Sequence, residues 1–288
     1  MSILPQLIVN SLIAGSVYAL VALGFNLIYG ATKFFNLAHG VLAAVGGYVV
    51  FFLAKQHDWN VYLAIIIAIL FAGLVGWLLD LIVFKKLRKR KASDMVLLVA
   101  SLGAFTALQA IIAILFTSQF QTLPNGALGN HTFHIGSAAI TQVQVIALVA
   151  GIVIYLGLLL LLKKTLLGKA ITAVSDDEEV SRIVGINTNR IMALVFFIGS
   201  AIAGVAGILV GFDTGIEPTM GLPLLLKGVI ASIIGGVGSI HGAIVGAFLL
   251  GFVENFGIWK LAAEWKDAIA FGVLILFLLF RPNGIFKK

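Results

Sequence analysis

The 288-residue chain contains no cysteine. That excludes disulfides, thiolate nucleophiles and zinc-thiolate sites, although it does not identify a compartment. Charge is also scarce: Asp, Glu, Lys and Arg make up 11% of the residues against 61% hydrophobic ones. With a mean hydropathy of +1.12, this composition rules out an ordinary water-soluble fold. A phosphate-cradling loop is missing too. "GGVGSIHGA" has His241 where G-x-G-x-x-G needs its last glycine. Around Gly168-Lys169, position 163 is lysine and residue 170 alanine, so G-x-x-x-x-G-K-[ST] is not formed. No nucleophile and base pair or metal cluster stands at useful spacing, and a proton relay would need several acids at depth that the chain does not supply. The chain is therefore expected to perform no covalent chemistry and to bind no cofactor itself. The formal charge of +7 does not point to nucleic acid, because the basic residues cluster between apolar runs, where they act as topology signals.

What the chain does have is a series of apolar runs long enough to cross a hydrocarbon core of roughly 30 Å as helices. The runs predict helices at 5–29, 36–54, 61–84, 95–117, 143–162, 190–212, 222–238, 241–257 and 267–280. The expected fold class is all-α: one polytopic membrane domain over 1–288, with eight or nine crossings and a surface helix. The amino terminus lacks the basic region and small-residue cleavage site of a secretory signal, so the first run is expected to stay as a span. Pro5 and Pro223 sit just inside the starts of their segments, where proline is tolerated. The basic loop 85–94 begins "KKLRKRK", and the region 163–190 adds Lys163, Lys164, Lys169, Arg182 and Arg190. Both are expected on the cytoplasmic side. The loop 118–142 has no Lys, Arg, Asp or Glu and is assigned to the outside. It includes the triplet "NHT" at 130–132, which is too common by chance to carry a reading. With "RPNGIFKK" at the cytoplasmic end, parity favours nine crossings.

Small residues recur every four positions at Gly199, Ala203, Gly207 and Gly211, and again at Gly235, Ser239, Ala243, Ala247 and Gly251 beside Gly238, Gly242 and Gly246. Such rows let helix backbones approach closely, and packing within one subunit is favoured over a subunit interface. Charged groups inside the spans are functional suspects. Asp80 is expected to pair with Lys85 or to snorkel. Lys227 is expected to pair with Glu254 or Glu217 before it contacts any substrate. In "FFNLAHG", 34–40, Asn36 can cap the following helix. Alternatively Asn36, His39 and Gly40, at a helix start within the membrane, can face a passing carboxylate. These three residues and Lys227 are the candidates for a substrate path.

The other conspicuous stretch is "SDDEEVSRIVGINTNR", 175–190. Ser175 and Glu178 have capping-box spacing. Asp176, Asp177, Glu178 and Glu179 put negative charge at the start of a helix, where its dipole favours it. Arg182 lies in the last turn and Gly185 supplies the stop. The expected product is a helix of about nine residues, too short to persist alone in water. Val180, Ile183 and Val184 form one apolar face, and Leu167, Ala170, Ile171 and Val174 repeat the pattern just before it. The element either packs beneath its own membrane helices as a connector or docks into a groove on a cytoplasmic partner. In a chain with membrane helices and no phosphate loop, an ATPase is the natural partner.

The stretches "GSVYALVALGFNLIYGATKFFNLAHG", "SDDEEVSRIVGIN" and "GLPLLLKGVIASIIGGVGSIHGAIVGAFLLG" resemble the LivH-type permease subunit of branched-chain amino acid ABC importers, and the similarity runs along essentially the whole chain. The resemblance implies a bacterial inner-membrane subunit that pairs with a second, homologous permease and with two cytoplasmic ATP-binding subunits. Those subunits would hold ATP and Mg, an external binding protein would deliver the substrate, and 163–190 would contact the ATPase. The sequence departs from the family pattern at Leu37, where Phe is common, at Val41, where an acid is frequent, and at Val180-Ser181, where alanine is. The first two departures keep urea or short-amide permeases as alternatives, and a gradient-driven secondary transporter is a third class.

Overall fold

In the computed structural model, residues 3–124 and 131–286 are described. Asn130 of the NHT triplet and the middle of the 118–142 loop lie outside them.

Helix α1 (Leu4–Thr32) carries Pro5 in its first turn and ends on Lys33 in the left-handed conformation. Residues 33–38 are irregular. Helix α2 (His39–Val50) then begins and widens into a π-helical turn, Phe51–Gln56. Helix α3 (Val61–Leu79), capped by Asn60, runs through a second π turn (Asp80–Phe84) into α4 (Lys85–Lys89). Helix α5 (Asp94–Phe116) returns to a two-stranded hairpin, β1 (Thr132–Ile135) and β2 (Ala138–Thr141), paired antiparallel with Thr132 opposite Thr141. The hairpin leads into α6 (Gln142–Lys164), whose start is a full capping box between Thr141 and Gln144. The remaining helices are α7 (Leu166–Asp176), α8 (Glu178–Ile183), α9 (Thr188–Asp213), α10 (Gly221–Gly235, preceded by a 3₁₀ turn at Pro218–Met220), α11 (Ile240–Gly257) and α12 (Trp265–Phe280).

Eight helical stretches among the described residues are long and apolar enough to cross a membrane, and the protein is a multi-pass membrane protein. The bundle has two distinguishable ends. At the hairpin end, Gln6 exchanges hydrogen bonds with Ala139, and Lys55 donates to Thr122 O and Oγ1. At the basic end lie the loop after α4 and the helices α7 and α8. Sixteen-residue α12 is not among these eight. It starts where Lys266 and Asp267 meet residues 254 and 227 and ends where Ile285 and Phe286 donate to Ile234 O and Gly235 O. The first and last described residues thus lie at opposite ends of the bundle, while the long apolar stretches number eight among the described residues.

Helix α1 is the centre. It packs against α6, α9, α10 and α11, and Ala19, Leu20, Ala22 and Leu23 are fully buried. The small-residue rows serve contacts within the chain: Gly199 meets Gly24 and Ile28, Gly207 lies on the Ala43 backbone, and Gly251 on Ser11 and Gly15. The row from Gly235 to Gly251 is not one helix face as the spacing suggests. Gly235 closes α10 and Ser239 caps α11, so the row straddles a tight turn in which Gly235 and Gly242 touch.

Candidate functional site

At the basic end, Thr165 ends α6 and caps α7, its hydroxyl accepting from the Gly168 amide at 2.9 Å. A side chain at 168 would run into the Leu161 carbonyl and the Leu162 backbone, so the corner needs glycine. Helix α7 buries Ile171 and Val174 and exposes Lys169 and Thr172, and it touches α1, α6 and α9. That contact supplies what a short helix lacks in water.

Ser175 does not start the acidic helix. It is buried in the last turn of α7 facing Gly30, and Asp176 is the final residue of α7. The cap is Asp177, which accepts from the Glu179 and Val180 amides at 2.8 and 2.9 Å. Two short helices therefore stand in place of one of nine residues, with Glu178 and Glu179 in the first turn of α8. Gly185, at φ +90°, breaks the chain as expected. The Glu178 carboxylate accepts from Arg182 at 2.6 Å and from the Thr188 hydroxyl at 3.2 Å, fastening α8 to the start of α9. On this mount Val180, Ile183 and Val184 are 54, 80 and 69% exposed, and Leu166 at the start of α7 is 84% exposed.

The second group is the start of α2. Asn36 Oδ1 accepts from the Ala38 amide at 3.1 Å and the Asn36 carbonyl accepts from His39 N, a local turn that sets where the helix begins. His39 is wholly buried, its Nε2 3.3 Å from Val21 O. Val21 lies eleven residues before the end of α1, roughly 16 Å along its axis, so α2 starts deep in the bundle. Irregular backbone at such depth must be covered by protein. Ser101 of α5 provides part of that cover, accepting from Leu37 N at 3.0 Å and donating to Phe35 O at 3.4 Å. Gly40 packs against Gly221 and Leu225, so the starts of α2 and α10 abut at mid-depth. Asn36 Nδ2 and His39 Nδ1 are buried with no hydrogen-bond partner among the described residues. Ser101 carried no sequence signal, since a serine inside an apolar run says nothing of its partner.

Lys227 is elsewhere. It bridges Glu254 at 2.5 Å and Asp267 at 2.7 Å, and the Tyr18 hydroxyl donates to the other oxygen of Glu254 at 2.7 Å. Lys266 approaches that oxygen at 3.8 Å. The expected pairing with Glu254 holds, Asp267 is an added partner, and the group ties α1, α10, α11 and α12 together. Asp80 also pairs, though with Arg88 at 2.7 Å rather than with Lys85. Asp80 opens the π turn and Arg88 lies in α4, from which arginine reaches back along the helix.

The family described as "Branched-chain amino acid transport system / permease component" matches residues 7–278. The high-affinity branched-chain amino acid transport system permease protein BraD of Pseudomonas aeruginosa is 34% identical, over 98% of this chain and 95% of its own. LivH of Escherichia coli (strain K12), a permease protein of the same kind of system, is 33% identical with the same coverage. The solved structure of PsaBC from Streptococcus pneumoniae in complex with Fab has a TM-score of 0.54 at 14% identity, covering 95% of this chain and 91% of that one. That likeness concerns the fold alone.

Proposed function

Because the chain belongs to the branched-chain amino acid transport system permease component family, we propose that it forms the membrane path of an ATP-driven importer for leucine, isoleucine and valine. It is a transport subunit and not an enzyme. The basic end faces the cytoplasm and the hairpin end the outside of a bacterial inner membrane, as the positive-inside rule requires. A second, homologous permease completes the path. Two cytoplasmic ATPases carry ATP and Mg, and an external binding protein delivers the solute. The whole chain acts as one permease domain, and similarity to the permeases of branched-chain amino acid systems over 98% of its length favours this cargo over urea, short amides or gradient-driven transport.

The observation that carries the coupling role is the exposed triad Val180, Ile183 and Val184 on a rigidly mounted α8. Apolar side chains rimmed by Asp177, Glu179 and Arg182 suit a groove on a partner. Lys227, paired with two carboxylates, holds helices together. Asn36, His39 and Gly40 are the path candidates. The unpartnered Asn36 Nδ2 donor and the His39 Nδ1 acceptor, the latter set by Nε2–H facing the Val21 carbonyl, come to face solute when the starts of α2 and α10 part.

Purification tests the reading. An ATPase should co-isolate with this chain, and in liposomes its hydrolysis should depend on the permease and drive leucine uptake. Gradient-driven uptake by the lone polypeptide would overturn the mechanism, and import of urea or acetamide without leucine would overturn the cargo.

A further inference from the structure

A cleft of about 370 Å³ opens toward the hairpin end between α1, α6, α9 and α10. One wall is apolar: Ile13, Ala14 and Val17 from α1, Leu209 from α9 and Leu224 from α10. Its polar lining comes from five helices and the start of the loop after α9: Asn10 and Tyr18, Gln144, Asp213 and Thr214, Asn255, and Lys266. Polar and charged side chains within a membrane bundle are costly against lipid and are tolerated where water or a polar solute reaches them. The cleft therefore reads as a solute-accessible vestibule. Its volume falls within the range typical of small-molecule sites, which combine apolar walls with a few placed polar groups.

The charges in this lining have opposite signs. Asp213 is exposed at the rim and accepts from Gln144 at 3.1 Å. Lys266 enters from α12, held loosely at 3.8 Å from Glu254 while Lys227 takes the close bridge. Asn255 is fixed by donation to Gly251 O at 2.8 Å. A ligand fitting this set has a cationic group, an anionic group and a compact aliphatic body. We propose that the cleft is a receiving site for the zwitterionic amino acid within this subunit. Asp213 meets the ammonium, Lys266 and Asn255 the carboxylate, and the α1 and α10 side chains the branched side chain. The proposal rests on the cargo reading above. It also moves the substrate contact from Lys227 to Lys266.

The test uses the complete importer in membrane vesicles with its binding protein and leucine carrying a diazirine in the side chain. Photolysis should label peptides of α1 and α10. Ala14→Trp, which fills the cleft, should abolish that labelling and lower leucine uptake at least tenfold. Asp213→Asn, an exposed change that leaves the fold alone, should lower uptake about tenfold without altering leucine affinity of the isolated binding protein. Normal uptake by both variants, or labelling confined to other helices, overturns the site. Absence of any branched-chain amino acid uptake by the wild-type complex overturns the cargo reading, and this proposal with it.

Discussion

Replacing both Val180 and Ile183 with Asp is the sharpest test of the coupling surface. In the permease itself the change is mild. Both side chains are more than half exposed, and substitutions at such positions usually stay within about 0.5 kcal/mol. Position 180 also lies in the first turn of α8, behind the Asp177 cap, where negative charge is favoured by the helix dipole. In a complex the same change is severe. Full burial of a Val or Ile side chain is worth about 1.5–3 kcal/mol. Scaled by the 54% and 80% of the two residues still open to a partner, the lost apolar burial is about 3 kcal/mol. That corresponds to a weakening of more than 100-fold, before the cost of burying two carboxylates is added. The measurement is a titration of the co-isolated ATPase against permease in nanodiscs, with insertion checked by yield and thermal unfolding. Binding within about threefold of wild type would refute the docking argument and leave α8 a connector.

Four further outcomes follow. Asp177→Ala should cost α8 about 1 kcal/mol, read as faster amide exchange at residues 179 and 180, whose amides it caps, and as weaker ATPase coupling. Glu254→Ala should lower the stability of the detergent-solubilised protein by about 3 kcal/mol, because it leaves part-buried Lys227 with the exposed Asp267 and takes the acceptor from the Tyr18 hydroxyl, whereas Lys227→Met with Glu254→Leu should recover most of the loss; tryptophan-fluorescence melting reads both. Gly207→Val should destabilise by about 1–3 kcal/mol or more in the same assay, since its side chain would enter the Ala43 backbone. Because the chain has no cysteine, single changes report sidedness: Phe133→Cys on the hairpin should react with an impermeant maleimide in intact spheroplasts, and Glu179→Cys only after the membrane is opened.

The spans were legible because each is a long apolar run, a signal carried by neighbouring residues. What the sequence did not disclose depends on contacts between distant segments. The π turns at Phe51–Gln56 and Asp80–Phe84 leave no local mark, and the second begins at Asp80, whose partner Arg88 lies in the helix that follows it. Ser175 and Asp177 are both good caps by chemistry. The choice fell to Asp177 because Ile171 and Val174 bury against the bundle and carry the α7 helix on to Asp176, taking Ser175 inside. The Lys227–Glu254 pair could be anticipated because charge is so scarce that few partners exist. The cleft could not, since its polar groups come from five helices and the start of the loop after α9.

If α8 receives force and the cleft receives solute, some element must connect the two ends; α1, α6 and α9 each touch α7 and line the cleft, and α1 is the central one of the three. Near its carboxyl end Gly30 faces Ser175 of α7, while Asn10, Ile13, Ala14, Val17 and Tyr18 line the cleft. Ile13 and Gly30 are separated by about 25 Å at a rise of about 1.5 Å per residue. Between them the helix has little room to flex on its own: Gly15 bears on Phe248, and Gly24 on the Gly199 carbonyl and the His39 ring. A close-packed interior deforms by switching between arrangements and not by yielding gradually. A displacement delivered through α7 must therefore carry α1 with α9 and α2, or leave it still. The first case moves the cleft wall and the buried start of α2 in one step, which couples the outer site to the inner surface with no further hinge.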